Sequence, residues 1–390
     1  MASRSQTKTG HHDIWNLRPL TRNTFHFRGS TDRFHAFQKA TTGRPDRSLI
    51  QPRLDFLRRF SHSEKIMAEL HGRALLFRLG GLGDLLTALP AISYLRKTNP
   101  GIEVLLVCRA SYGLLLEDAG VVDGIIPLEG RVSAVFLGGR EFENPPFRHP
   151  AERVSLAVGW MQNPIDPAVG ENLRRMGIPT VRFIVLQPES AVPISRFFFQ
   201  ETASLFPPER QGLPKFEECI RLQSGKKMMA SAEMLPGFGI AIERPFAVLH
   251  PGSGGAGKCW RIDRFLEIVN RLAEEEIPGF LVTGEAEERA DLSGQLEKIR
   301  LPEGWVWLRC PPLLGLAGLL SRAAFYLGND SGVTHLAAAC GTNVIALFLE
   351  KSVPAWSPYG RSRLLIAPDL IDLSQNRVWE EIQRGLPFLR

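Results

Sequence analysis

The chain has 390 residues, 44 % of them apolar and 36 of them glycine, which suffices for two packed domains with substantial cores and excludes a small stapled scaffold. Its net charge of +6 sits at one end: residues 1–66 hold 13 Lys/Arg and 5 Asp/Glu, leaving 34 basic and 36 acidic side chains for residues 67–390. A near-neutral body excludes an electrostatic funnel for nucleic acid, and the lack of any uninterrupted apolar window of about 18 residues excludes a transmembrane helix.

Residues 1–66 mix Arg, His, Thr, Ser and Gly without sustained periodicity and read as a poorly ordered basic leader, with one short helix near Leu54–Phe60. That composition fits either an extension without function or a basic arm on anionic lipid. No apolar core stands ahead of a small-residue cleavage site, so no secretory signal is expected, and Asp13, Asp32, Asp46 and Asp55 argue against a transit peptide. Cys108, Cys219, Cys259, Cys310 and Cys340 are scattered singly with no C-x-x-C spacing, which fits a reducing compartment rather than a disulfide framework or a metal cluster. The expected location is cytoplasmic, with peripheral contact at the inner membrane as the role open to the leader.

From residue 73 short apolar runs alternate with helical segments. Strands are expected at Ala74–Phe77, Val104–Cys108, Gly124–Pro127, Val154–Gly159 and Thr180–Leu186, and helices at Gly83–Lys97 and Tyr112–Ala119. Such alternation implies right-handed crossovers and a parallel sheet. Between Pro188 and Glu243 the pattern weakens and prolines punctuate it, as in a linker with helices. The run Phe197-Phe198-Phe199 there either packs a helix into the core or faces a lipid-linked acceptor.

A second series follows. Strands are expected at Phe246–His250, Gly279–Thr283, Trp305–Leu308, Phe325–Gly328 and Val344–Phe348. Helices are expected at Ile262–Glu275, Glu287–Ile299, Leu313–Ala323, Gly332–Cys340 and, at the end, Arg377–Arg390. The chain therefore divides into a leader (1–66), a first α/β domain with its linker (67–243) and a second α/β domain (244–390). Ligands of such sheets bind at the carboxyl ends of the strands, and two facing halves leave a cleft between those ends.

Three turns could carry chemistry. Arg78-Leu79-Gly80-Gly81-Leu82-Gly83-Asp84 joins the first strand to the first helix, where glycines expose N–H groups beside a positive helix end. It is neither a G-x-G-x-x-G nor a phosphate-loop pattern. Asp84 is there either a helix cap or a carboxylate base for a hydroxyl nucleophile. His250-Pro251-Gly252-Ser253-Gly254-Gly255-Ala256-Gly257-Lys258-Cys259-Trp260 again follows an apolar strand. Its glycines, hydroxyl and ammonium suit a phosphate cradle, the alternative being a plain surface loop, and His250 reads as structural. In Gly328-Asn329-Asp330-Ser331-Gly332-Val333-Thr334-His335 a strand hands over to a helix. Its first amides suit a diphosphate and Asp330 suits sugar hydroxyls, against the plainer reading of Asp330 or Ser331 as a cap with His335 one turn on.

In this order and at these separations, the three segments resemble glycosyltransferase family 9, which includes the lipopolysaccharide heptosyltransferases. The resemblance covers about residues 73–360 and is most specific at Gly328 through Ala339. It implies a GT-B fold, two Rossmann-like parallel-sheet domains facing across a cleft, and inverting transfer of a sugar from a nucleotide-sugar donor such as ADP-heptose to a saccharide or lipid-linked saccharide acceptor. It implies Asp84 and Lys258 as catalytic residues. It places Gly80, Gly81, Gly83, Ser253, Lys258, Asp330, Ser331, Gly332 and His335 around the donor, with Glu287 or Glu288 on the ribose. It implies no cofactor and no metal, and the cleft segments carry no D-x-D pair that would hold one.

Two departures stand out. Gly80 and Gly81 replace the Ser or Thr common in the family, and Leu349-Glu350-Lys351-Ser352 replaces a Gly-Pro-Thr turn. Two other functions compete. An NAD-type oxidoreductase would use the first turn and leave the other two unexplained. A non-catalytic nucleotide-sugar binder would have no need for Asp84, Lys258 and Asp330 together.

Overall fold

The computed structural model describes residues 72–137, 154–187, 192–207, 214–239, 244–285, 294 and 296–385. The leader with its expected helix, most of the expected helix Glu287–Ile299, and Glu287 and Glu288 themselves lie outside the described residues. Among the described residues no helix is long and apolar enough to cross a membrane.

In the first half β1 (Arg73–Phe77), β2 (Glu103–Cys108), β3 (Gly124–Pro127), β4 (Val154–Met161) and β5 (Thr180–Val185) form one sheet. Its order is β3-β2-β1-β4-β5 and every pairing is parallel. The connecting helices are α1 (Leu82–Thr98), α2 (Ala110–Asp118), α3 (Arg131–Leu137) and α4 (Pro167–Arg175). Two helices, α5 (Ile194–Ser204) and α6 (Lys226–Glu233), lead into the second half.

There β6 (Ala247–His250), β7 (Gly279–Thr283), β8 (Trp305–Arg309), β9 (Phe325–Asn329), β10 (Asn343–Leu349) and β11 (Ser362–Ala367) are again all parallel, in the order β11-β10-β9-β6-β7-β8. Their helices are α7 (Ile262–Glu274), α8 (Leu313–Arg322), α9 (Gly332–Cys340), α10 (Val353–Trp356) and α11 (Gln375–Gly385). The central strands β6, β7 and β9 are buried at every residue, as strands covered by helices on both faces must be.

Each sheet reverses its winding once. In the first half the chain steps from β1 outward through β2 and β3, then returns to build β4 and β5 on the other side of β1. In the second it runs β6, β7, β8 and then returns to β9, β10, β11. The crevices where parallel sheets take ligands thus lie between β1 and β4 and between β6 and β9. All three turns singled out from the sequence leave strands flanking these two reversals.

Core packing follows from the apolar spacing. Helix α7 presents Phe265, Ile268, Val269 and Leu272, one stripe at i, i+3, i+4 and i+7, to the outer face of the second sheet, where Trp260, Val378 and Ile382 complete the layer. Helix α1 is different: every residue from Leu85 to Leu95 is buried, because it is sandwiched between its own sheet and the second half. One apolar cluster runs through α1, α5, α6, α8 and α9 without a break between the halves. The phenylalanine run belongs to it: Phe198 and Phe199 are buried, and Phe199 stacks edge-on against Tyr94 at 5.1 Å.

Pro90 lies inside α1 and has no N–H to give to the carbonyl of Leu86, one turn earlier. The phenol of Tyr359, from the second half, donates to that carbonyl at 2.9 Å. The gap left by a proline in one domain is filled by a tyrosine of the other.

Candidate active site

The Asp84 carboxylate occupies the third position of α1 and folds back on the turn that precedes it. Its Oδ2 accepts the Gly81 N–H at 2.7 Å, so the capping role is real. Its Oδ1 accepts from Gln162 Nε2, which arrives from the end of β4, and from Arg78 Nη2 at 3.4 Å. Gly80 adopts φ +139°, and a Cβ there would lie 2.4 Å from Asp84 Oδ2, so only glycine fits beneath the carboxylate. The Gly81 N–H is engaged by the carboxylate and not offered to solvent.

Arg78 is the buried cation under this turn, 2 % exposed. It donates to the Asp84 carbonyl at 2.7 Å and to the Trp160 carbonyl at 2.9 Å, and lies over the Phe198 ring at 5.2 Å. Burial lowers its pKa to about 10, with Asp84 pulling the other way, so it stays charged at neutral pH.

Across the cleft, Lys258 and Asp330 form an ion pair, Nζ to Oδ2 at 2.7 Å, with Lys258 40 % exposed and Asp330 only 8 %. Ser253 Oγ donates to the Asp330 carbonyl at 2.7 Å. The glycine-rich loop is pinned by Asn329, wholly buried, whose side chain accepts from the Trp260 N–H at 3.0 Å and donates to the Pro251 carbonyl at 2.7 Å. Ser331 is the cap of α9, accepting from the Thr334 N–H, so the plain capping reading holds for Ser331 while Asp330 is free to pair with lysine. His250 is buried, its Nδ1 against the Val282 carbonyl at 2.9 Å, as its structural reading requires.

The two sides meet. A Cβ on Gly332 would lie 3.0 Å from Leu82 Cβ and 3.1 Å from the Gly83 nitrogen, and one on Gly83 would lie 3.4 Å from the His335 ring. The amino ends of α1 and α9 therefore abut, bringing two positive helix ends to one place, an arrangement that an anion beside them stabilises.

His335, 2 % exposed, lies in this joint, and its Nδ1 is a buried atom without a hydrogen-bond partner among the described residues. Burial pushes its pKa down to about 4; Asp330 and Asp84 oppose that shift and Lys258 adds to it. One imidazole thus feels the charges of both sides of the cleft.

Of the residues read from the sequence, Gly80, Gly81, Gly83 and Asp84 fall on one wall of this joint, and Ser253, Lys258, Asp330, Ser331, Gly332 and His335 fall on or beside the other. Arg78, Gln162 and Asn329 are participants that motif reading did not assign to the site. Gln162 had one signal, being the first polar residue after the apolar run of β4, the strand paired with β1 at the reversal. The departure at Leu349-Glu350-Lys351-Ser352 forms a 3-10 turn over Glu350–Ser352 at the end of β10.

The sequence model of glycosyltransferase family 9 (heptosyltransferase) matches residues 175–375. The chain belongs to that family. It is 23 % identical over 337 residues to lipopolysaccharide heptosyltransferase 1 of Escherichia coli strain K12, a match spanning 80 % of this chain and 99 % of that relative. A shorter stretch of 129 residues is 28 % identical to lipopolysaccharide heptosyltransferase 3 of the same strain, covering 31 % of this chain and 35 % of the relative. Among solved structures, E. coli ADP-heptose lps heptosyltransferase II matches with a TM-score of 0.63 at 20 % identity, over 80 % of this chain and 98 % of that one. E. coli heptosyltransferase WaaC with ADP matches with a TM-score of 0.57 at 17 % identity, over 80 % and 99 %. This family 9 glycosyltransferase shares their fold, the GT-B pair of facing parallel-sheet domains.

Proposed function

We propose that this glycosyltransferase moves a sugar from a nucleotide-diphosphate donor to a hydroxyl of a lipopolysaccharide-type or other lipid-linked saccharide, inverting the anomeric centre in one displacement, without a metal or cofactor, on the cytoplasmic side of the inner membrane. ADP-heptose is the donor to try first, because relatives of the same fold are described with ADP-heptose or ADP. The observation that carries the reading is the convergence of Asp84 on one wall with the Lys258–Asp330 pair on the other, at the abutting amino ends of α1 and α9.

In this scheme Asp84 accepts the proton of the acceptor hydroxyl while that oxygen attacks the anomeric carbon. The bond from that carbon to the diphosphate breaks, and its electron pair leaves with the nucleotide diphosphate. Lys258 and the first amides of α9 stabilise the negative charge on the departing diphosphate. Asp330 and the unpartnered His335 Nδ1 accept hydrogen bonds from the donor. Glu287 or Glu288 is assigned to the ribose, and the leader to peripheral contact with anionic lipid.

The test is calorimetry with ADP, UDP and NAD, then turnover of a donor panel by the parent and by Asp84→Asn. The expected result is binding of a nucleoside diphosphate without added metal. Asp84→Asn should lose about 100-fold or more in turnover with its ADP affinity unchanged. NAD binding without diphosphate binding, or equal turnover in both proteins, would refute the proposal.

A further inference from the structure

A carboxylate that must take a proton has to present one particular lone pair, and the surroundings of Asp84 select it. Oδ1 already accepts from two donors, Gln162 Nε2 and Arg78 Nη2. Among the described residues Oδ2 accepts only the Gly81 N–H, at 2.7 Å. Each carboxylate oxygen offers two in-plane lone pairs, so Oδ1 is filled and Oδ2 keeps one. The space beside Oδ2 is the one a side chain on residue 80 would occupy, since a Cβ there would stand 2.4 Å away. Gly80 and Gly81 are exposed, whereas Arg78 on the Oδ1 side is buried.

We infer that Gln162 and Arg78 are positioning residues for Asp84, fixing Oδ1 so that Oδ2 takes the acceptor's proton, and that the acceptor hydroxyl approaches over the bare face of Gly80. This rests on the reading of Asp84 as the base. The clamp is stiff because its parts are themselves held. The Arg78 guanidinium is bonded to the Asp84 carbonyl at 2.7 Å and to the Trp160 carbonyl at 2.9 Å, and it touches the Thr87 hydroxyl at 3.3 Å. Thr87 in turn donates to the Asp84 carbonyl at 2.7 Å. Trp160 is anchored through its indole N–H to Thr202 of α5 at 2.8 Å. Gln162 stands one residue beyond β4. The base thus leaves one strand of the sheet reversal and its orienting amide leaves the other, so the relative positions of β1 and β4 set its direction. In this arrangement Gly80 and Gly81, where the family commonly has hydroxyls, serve the acceptor side rather than the donor phosphate.

The experiment compares the parent, Asp84→Asn, Gln162→Leu and Arg78→Lys as full chains, on the donor and acceptor pair that the parent turns over. It records kcat, acceptor KM, ADP affinity and melting temperature. Gln162 is only half-buried, so Gln162→Leu tests the idea even if the buried Arg78→Lys does not fold. The expected result for Gln162→Leu is a loss of about 10- to 100-fold in kcat, with acceptor KM and ADP affinity within about twofold of the parent. Arg78→Lys, which keeps the charge and loses the fork, should behave alike. Parental kcat in Gln162→Leu beside an inert Asp84→Asn overturns this inference and leaves the base reading intact. A loss confined to acceptor KM also overturns it, making Gln162 an acceptor contact. Parental turnover in Asp84→Asn, or no turnover by the parent on any pair, removes the base reading itself.

Discussion

His335 is the residue on which the two walls act together. Its native pKa of about 4 lies below the ordinary 6.5 because the ring is buried. Between those two values the unfolded chain takes up a proton that the folded chain refuses, so the stability present above pH 6.5 drains away as the pH falls toward 4. The full difference is at most about 3 kcal/mol. Urea denaturation at pH 7 and pH 4.5 should show the parent losing more stability than His335→Gln, which has no such proton to take. Equal losses in the two proteins would mean that the ring does not titrate in this way. At neutral pH the imidazole is uncharged, so it is not a second cation beside Lys258.

At the scale of elements, the site is the meeting of two helix starts, and their approach depends on the absence of side chains. Gly332→Ala would force a methyl to within 3.0 Å of Leu82 Cβ and 3.1 Å of the Gly83 nitrogen. Overpacking of this kind costs about 1–3 kcal/mol, and here it would also spread the two amino ends to which the proposal assigns the diphosphate. Denaturation and ADP titration of Gly332→Ala should both show a loss.

The helices and strands were largely legible beforehand. Short apolar runs such as Val104–Cys108 and Gly279–Thr283, set between helical segments, read as strands, and their limits fall within a residue or two of those observed. Edge strand β11 escaped because Ser362, Arg363 and Leu364 stay partly exposed, so its sequence lacks the fully apolar signature of a central strand. Helix α3, of seven residues, carries too few turns to show a period, whereas α4 went unread although Val169, Gly170 and Leu173 give it one buried face. Within the site, glycine-rich turns and the Asp-Ser-Gly cap announce themselves by spacing. Gln162 does not, because a lone amide acquires its meaning only from the strand that the fold sets beside it, and Asn329, though inside the third turn, shows its hold on the glycine-rich loop only in the structure.

At the scale of the molecule, the two halves share one apolar cluster and one repaired helix. Tyr359→Phe would leave the Leu86 carbonyl buried without a donor, at a cost of about 1–3 kcal/mol, readable as a shift of the urea midpoint. An unchanged midpoint would mean that another donor reaches that carbonyl. The repair also bears on where the chain can be divided. The two sheets, β1 to β5 and β6 to β11, are separate in topology, yet helix α1 beside the first is incomplete without a side chain from the second half. The interdomain seam is thus part of the first domain's own backbone accounting. A change at position 90 or 359 in either half is therefore felt in the other.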